Sequence, residues 1–322
     1  MNPLKKYIAT RIAQAIPLIM VIICINFAIM HLAPGDPVDF LVSGMEGASS
    51  EYVRMLKTKY GFDRPLIDQL LIYLLNIMQG DFGYSFYYHD SVFSVIMSRL
   101  SATLLLTFAS LLIELLGVYL GVLASKKPYS LTDNAVTLLT LVTFNMPYFW
   151  LGMILILFFG LYLGAFPISG MSTIGTTGLD YHLSVAWHLT LPAVTLGLGR
   201  LALYTRYTRA SMLEVLREDY ITTAWAKGCS ERLVYYKHAL RNALIPIVTI
   251  VMLRMPMLFT GATLVETVFG WPGLGRLFYE AIFRRDFNLL MAEFILVSIL
   301  TIAFNLLADV CYAYLDPKVR YK

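Results

Sequence analysis

Six stretches of this chain are apolar for close to twenty residues or more: about 12–32, 101–124, 135–163, 187–205, 244–266 and 289–314. A helix needs about 20 mostly apolar residues to cross a bilayer. Backbone inside lipid must satisfy its own hydrogen bonds, which leaves only helices or closed barrels. Barrel strands alternate over segments of about ten residues, and these stretches are longer and do not alternate. Charged residues make up 14% of the chain, against about 25% in soluble domains. The pattern predicts an all-α, multi-pass membrane protein with six transmembrane helices. Lys5, Lys6 and Arg11 precede the first stretch as in a signal peptide. Its apolar run is too long for one and ends in "HLAPGDP", so it reads as an uncleaved span.

Basic residues orient the spans, because cytoplasmic loops carry the excess of Lys and Arg. With the N-terminus inside, residues 1–11, 125–134, 200–243 and 315–322 are cytoplasmic and hold 16 of the 25 Lys and Arg. The outer segments hold 8, and Arg254 falls inside a span. Both termini are therefore expected in the cytoplasm. The outer segment 33–100 is expected to be helical. "SSEYVRMLKTKYG" reads as a short amphipathic helix. In "DRPLIDQLLIYLLNIMQGDFG", Leu66, Leu70, Leu74 and Met78 share a helical face between Pro65 and Gly80. Pro17, Pro147, Pro192, Pro246 and Pro256 fall within spans, where they mark either kinks or a lined path.

The chain shows no G-x-x-x-x-G-K-[ST] loop, no G-x-G-x-x-G after a strand and no H-E-x-x-H. Its five histidines are scattered, and Cys24, Cys229 and Cys311 share no metal-ligand spacing. Neither a nucleotide nor a metal site is expected, so another protein must hydrolyse the fuel for uphill movement.

One inward segment stands out: "DYITTAWAKGCSERLVYYKHALRNALIP", with four basic residues among long apolar runs. It reads as a helix, a break at Gly228, and a second helix from Ser230 as N-cap. Leu233, Tyr236, Leu240 and Leu244 are spaced to share the second helix's face. Ala224, Ala226, Gly228, Cys229 and Ser230 make a small-residue turn able to enter a groove on another protein. An ordinary basic cytoplasmic loop would also have this composition.

These residues resemble the cytoplasmic loop of ABC importer permeases, E-A-A, three residues, G, nine residues, I-x-L-P. Ala224, Gly228 and Leu240 match it, and Thr222 departs from its glutamate. The fuller stretch "RASMLEVLREDYITTAWAKGCSERLVYYKHALRNALIP" is similar to the loop of the dipeptide/oligopeptide/nickel branch. "APGDP" (33–37), "GDFGYSF" (80–86), "SRLSATLLLT" (98–107) and "ETVFGWPGLGRL" (266–277) resemble that branch in the same order.

The resemblance implies a type I ABC importer permease fold. Residues 1–32 would form the tail and first helix, 33–93 the extracytoplasmic helical region, 94–316 the transmembrane core and 317–322 a tail. Within the core, about 205–243 would be the coupling loop, with Ala224, Gly228, Cys229, Ser230, Glu231 and Leu240 at its ATPase contact. The implied partners are a second, homologous but different permease, two ATP-binding subunits carrying ATP and Mg, an extracytoplasmic substrate-binding protein and membrane lipid, with no nucleic acid. No cofactor would be bound by this chain. Peptides are the implied solute, with nickel chelates, glutathione or oligosaccharides as alternatives. An ion-coupled secondary transporter would leave the 200–243 segment unexplained.

Glu114 and Arg254 fall near mid-bilayer, where a lone charge costs several kcal/mol. They either pair across the bundle or flank the translocation path, Arg254 meeting a carboxylate and Glu114 an amine. Asn145, Asn305 and Asp309 read as helix–helix hydrogen-bonding residues, with Asn145 placed to bond carbonyls freed by Pro147.

Overall fold

The computed structural model describes residues 3–32, 63–85, 87–255 and 262–315, with isolated positions between 51 and 61. "APGDP", most of the helix expected at 49–61, Pro256 and the tail 317–322 lie outside the described residues. So does the side chain of Asp309.

The described chain is almost wholly helical. It runs through α1 (Pro3–Leu32), α2 (Leu66–Met78), a two-stranded hairpin of β1 (Tyr84–Ser85) and β2 (Asp90–Ser91), and α3 (Val92–Lys126). α4 (Leu131–Asn145) and α5 (Tyr148–Leu155) follow, the latter ending in a π turn (Ile156–Tyr162). Then come α6 (Gly178–Val215), α7 (Asp219–Ala226) and α8 (Glu231–Leu233). α8 passes through a second π turn (Val234–Ala239) into α9 (Leu240–Arg254). α10 (Thr263–Val268), α11 (Leu274–Arg284) and α12 (Phe287–Leu315) complete it.

Among the described residues, α3 and α12 are long and apolar enough to cross a membrane. The α4–α5 pair makes a third span if its two halves are counted together. At 35 residues, α3 is about 52 Å long, so its ends extend past a hydrocarbon core of about 30 Å. The span expected over 135–163 is bent by 105° between α4 and α5, at the proline read as marking a kink or a lined path. The cause is local: Pro147 cannot donate to the helix ladder. It also pushes Met146 into extended backbone, with φ −80° and ψ 126°. Asn145 Nδ2 donates to Leu141 O at 2.7 Å at the end of the interrupted helix.

Contacts divide the chain into two units, residues 1–101 with 277–322 and residues 102–276. In the first, α1 packs along α12, and the hairpin pairs Tyr84 with Ser91 and Ser85 with Asp90. "GDFGYSF" supplies β1, which is fastened to the start of α12. Ser85 Oγ donates to Asp286 Oδ2, and Asn288 Nδ2 donates to Tyr84 O at 3.0 Å. Asp286 caps α12 through the Leu289 N–H at 3.2 Å. Pro65 and Gly80 flank α2 as expected. Its expected packing face is not buried, however. Leu70 and Leu74 are half-buried, while Leu66 and Met78 are exposed.

In the second unit, α4, α5, α9 and α10 pack on α6. Gly117 and Gly121 let α3 approach α6 closely. A Cβ on Gly121 would stand 2.6 Å from Thr208 Cβ and 2.7 Å from Thr205 O. The small-xxx-small spacing therefore replaces side chains with direct helix contact. Two motif stretches, 98–107 and 266–277, meet here. Trp271 is fully buried and its Nε1 donates to Ala102 O at 2.8 Å. Thr103 Oγ1 donates to Glu266 at 3.1 Å and accepts from the Leu274 N–H at 2.7 Å. The buried Glu266 also accepts the N–H groups of Ala262 and Arg276, so the turn through 266–277 is held by a satisfied polar network.

Candidate functional site

The loop at Gly228 is built by a specific helix stop. At the end of α7, Gly228 has φ +77°, a conformation that costs an L side chain roughly 1–2 kcal/mol. Its N–H donates to Trp225 O at 2.9 Å, and the Cys229 N–H donates to Ala224 O at 3.2 Å. This pair of bonds is a Schellman stop, which satisfies carbonyls left open at a helix end. Ser230 occupies the N-cap position of α8, but its hydroxyl makes no capping bond.

The structure separates the candidate coupling residues into two sets. Gly228, Ser230 and Glu231 are exposed at the tip, together with Trp225, Lys227 and Arg232. Ala224 is buried beneath them, and Cys229 and Leu240 are half-buried. Ala224 thus packs in the chain's own core with Val122, Met212, Ile221 and Val234. The buried face of the second helix also differs from the one expected. It consists of Val234, Ala239, Ala243 and Ile247, while Leu233 is exposed and Tyr236, Leu240 and Leu244 are half-buried. The π turn is the reason: it inserts one extra residue between Val234 and Ala239 and shifts the helical register.

Lys126, the last residue of α3, ties this loop to the bundle. Its Nζ lies 5.5 and 5.3 Å from the ring centres of Tyr235 and Tyr236 and 3.9 Å from Glu231 Oε1. The Tyr235 hydroxyl donates to Lys126 O at 3.3 Å. A second tie joins α4 to α6, where Arg209 grips the buried Asp133 with two bonds of 2.6 and 2.7 Å. Asp133 also receives the Tyr129 N–H at 2.8 Å. Periodicity did not single out Lys126, Asp133 or Arg209, because each partner is 76 or more positions away or belongs to another element.

Glu114 and Arg254 come together. Arg254 Nη1 is 3.7 Å from Glu114 Oε2, and Arg200 Nη1 is 3.4 Å from Glu114 Oε1. Glu114 is 2% exposed. With Leu111, Val251 and Met255, the three line a small, half-open recess. Arg200 falls both in the fourth apolar stretch, 187–205, and in the segment 200–243 counted as cytoplasmic. α6 continues to Val215, so Arg200 sits in mid-helix. Asn145 is not among the residues lining this recess.

The fold carries helices long and apolar enough to cross a membrane, and comparison fixes the class of protein. The family model described as "Binding-protein-dependent transport system inner membrane component" matches residues 117–321, and the N-terminal model of the same system matches 4–107. The chain belongs to this family of ABC importer permeases and is a multi-pass inner-membrane component. It is 40% identical to the oligopeptide transport system permease protein AppB of Bacillus subtilis, over 98% of this chain and 99% of that protein. It is 37% identical to the dipeptide transport system permease protein DppB of Escherichia coli, over the same shares. It is 38% identical to the glutathione transport system permease protein GsiC of the same species, again over 98% and 99%. Among solved structures, an inward-facing MetNI methionine ABC transporter superposes with a TM-score of 0.54 at 18% identity. That match covers 70% of this chain and 97% of the other, and shows a common fold.

Proposed function

We propose that this chain forms half of the translocation path of an ATP-driven importer of di- and oligopeptides. Six spans and two cytoplasmic termini accompany this reading. A different, homologous permease supplies the other half, a binding protein delivers solute from outside, and two ATP-binding subunits carry ATP and Mg. This chain binds no cofactor of its own.

The observation that carries the coupling part is the exposed tip at Trp225–Arg232, held on a buried core and clamped to α3 through Lys126. Force applied at the tip reaches α3, the helix that also holds Glu114. Gly228, Ser230 and Glu231 make the ATPase contact, and Ala224, Cys229 and Leu240 support it from beneath. Glu114 and Arg254 line the solute path. Asp309 serves helix–helix hydrogen bonding, and Asn145 closes the end of α4 through its bond to Leu141 O.

Peptides are favoured by the near full-length identity to permeases named for oligopeptide and dipeptide transport. The almost equal identity to a glutathione permease supports glutathione, itself a small peptide, as the second reading. The test is uptake into vesicles holding the permease pair, the ATPases and the binding protein. ATP-dependent accumulation of a labelled dipeptide is expected. Uptake of glutathione without dipeptide would select the second reading, and accumulation by this chain alone would end both.

A further inference from the structure

We propose that Arg200 and Arg254 form a seat for a solute carboxylate, and that Glu114 occupies this seat as a built-in stand-in in the present conformation. Two guanidinium groups face one carboxylate, which leaves a net positive charge around the recess. Neither contact is tight. The Arg200 pair measures 3.4 Å and the Arg254 pair 3.7 Å, whereas charge-assisted bonds close to about 2.7–2.9 Å. The Arg209–Asp133 pair in the same unit reaches 2.6 and 2.7 Å, so this chain does close such contacts elsewhere.

Arg200 Nε and Arg254 Nη1 are buried and make no hydrogen bond among the described residues. Buried donors without acceptors are uncommon and call for an explanation. A carboxylate offers about four lone-pair sites on two oxygens, and the forked donors of arginine match that geometry. The remaining lining, Leu111, Val251 and Met255, is apolar and would strengthen a charge-assisted bond by excluding water. The contrast with Glu266 is informative. That acid is equally buried but receives the N–H groups of Ala262 and Arg276 and the Thr103 hydroxyl, so it is a structural acid with nothing left to recruit.

The inference rests on Glu114 and Arg254 lining the solute path, and its test is separable from that reading. Glu114→Ala is made in the assembled transporter, and thermal stability is read in acetate and in acetamide at constant ionic strength. Expected is a lowered melting temperature that acetate, and not acetamide, restores by at least half. Adding Arg200→Gln should abolish the rescue. Equal effects of acetate and acetamide, no rescue, full stability without acetate, or rescue surviving in the double variant would each overturn the seat. If Glu114→Ala does not assemble, Glu114→Gln keeps the volume, and its stability must rise with acetate alone for the seat to stand. Separately, Val251→Cys should react with a membrane-impermeant maleimide. Protection from it would end the path reading while the acetate result still decides the seat.

Discussion

Substitutions at Gly228 can separate the loop's own folding from what docks on it. The φ of +77° means that any L residue there carries roughly 1–2 kcal/mol of backbone strain. Asparagine carries less, because it tolerates this region. A larger side chain has room to point into solvent, since Gly228 is exposed and a Cβ there would meet no atom of the described residues within 4 Å. Gly228→Ala and Gly228→Trp should therefore destabilise the permease by the same ~1–2 kcal/mol, a roughly 5- to 30-fold change in a folding equilibrium. Their melting temperatures in detergent should agree, with Gly228→Asn closer to the parent. Retention of the ATPase on the affinity-purified permease should behave differently. Alanine should lower it only as far as the strain loosens the tip, whereas tryptophan should abolish it by holding the two surfaces apart. If alanine and tryptophan reduce retention equally, or if tryptophan leaves it intact, the tip is not the docking surface.

Three further outcomes follow from the packing. Gly121→Leu should destabilise the subunit by about 1–3 kcal/mol through overpacking, because the added Cβ would stand 2.6 Å from Thr208 Cβ. An unchanged melting temperature would contradict the close α3–α6 contact. Lys126→Met keeps the stem but removes a cation over two rings, an interaction worth about 0.5–1 kcal/mol at an exposed site. ATP hydrolysis should continue with transport reduced several-fold, and unchanged transport per ATP would exclude Lys126 as a strut. Burial pushes the Asp286 carboxyl above its ordinary range, against bonds from Ser85 and the Leu289 N–H. Its native pKa therefore exceeds the unfolded one. Its contribution is complete below about pH 4 and is lost as pH rises through the native value. Asp286→Asn should flatten that fall in melting temperatures across an acidic series, and an unaltered profile would refute it.

What could be read along the chain was whatever a local rule governs. The stop at Gly228 followed from a glycine between two periodic stretches, and Pro147 marked the place where α4 ends. The size of the bend did not follow, because a proline sets a break and the neighbouring helices set its angle. The face of α8 and α9 was misread because a 3.6-residue period assumes an unbroken ladder, and the π turn at Val234–Ala239 adds a residue to it. Arg200 stands in mid-helix beside Glu114, and counting basic residues along the chain does not reveal that pairing. Glu114 and Arg254 were legible as costly residues needing company, but their shared partner was not. Gly117 and Gly121 carry a signal in their spacing of four that could have located the α3–α6 contact. Lys126 and Tyr235 are joined across 109 positions, and no local pattern links them.

The extra residue held at Val234–Ala239 makes the stretch between the loop tip and Arg254 a screw rather than a rod. Drawing that residue out of the π turn toward the loop tip would rewind the segment beyond it by about 100°, and the helix need not melt to do so. A short stroke delivered at the loop tip would in this way emerge at Arg254 as a rotation that withdraws a guanidinium from its carboxylate.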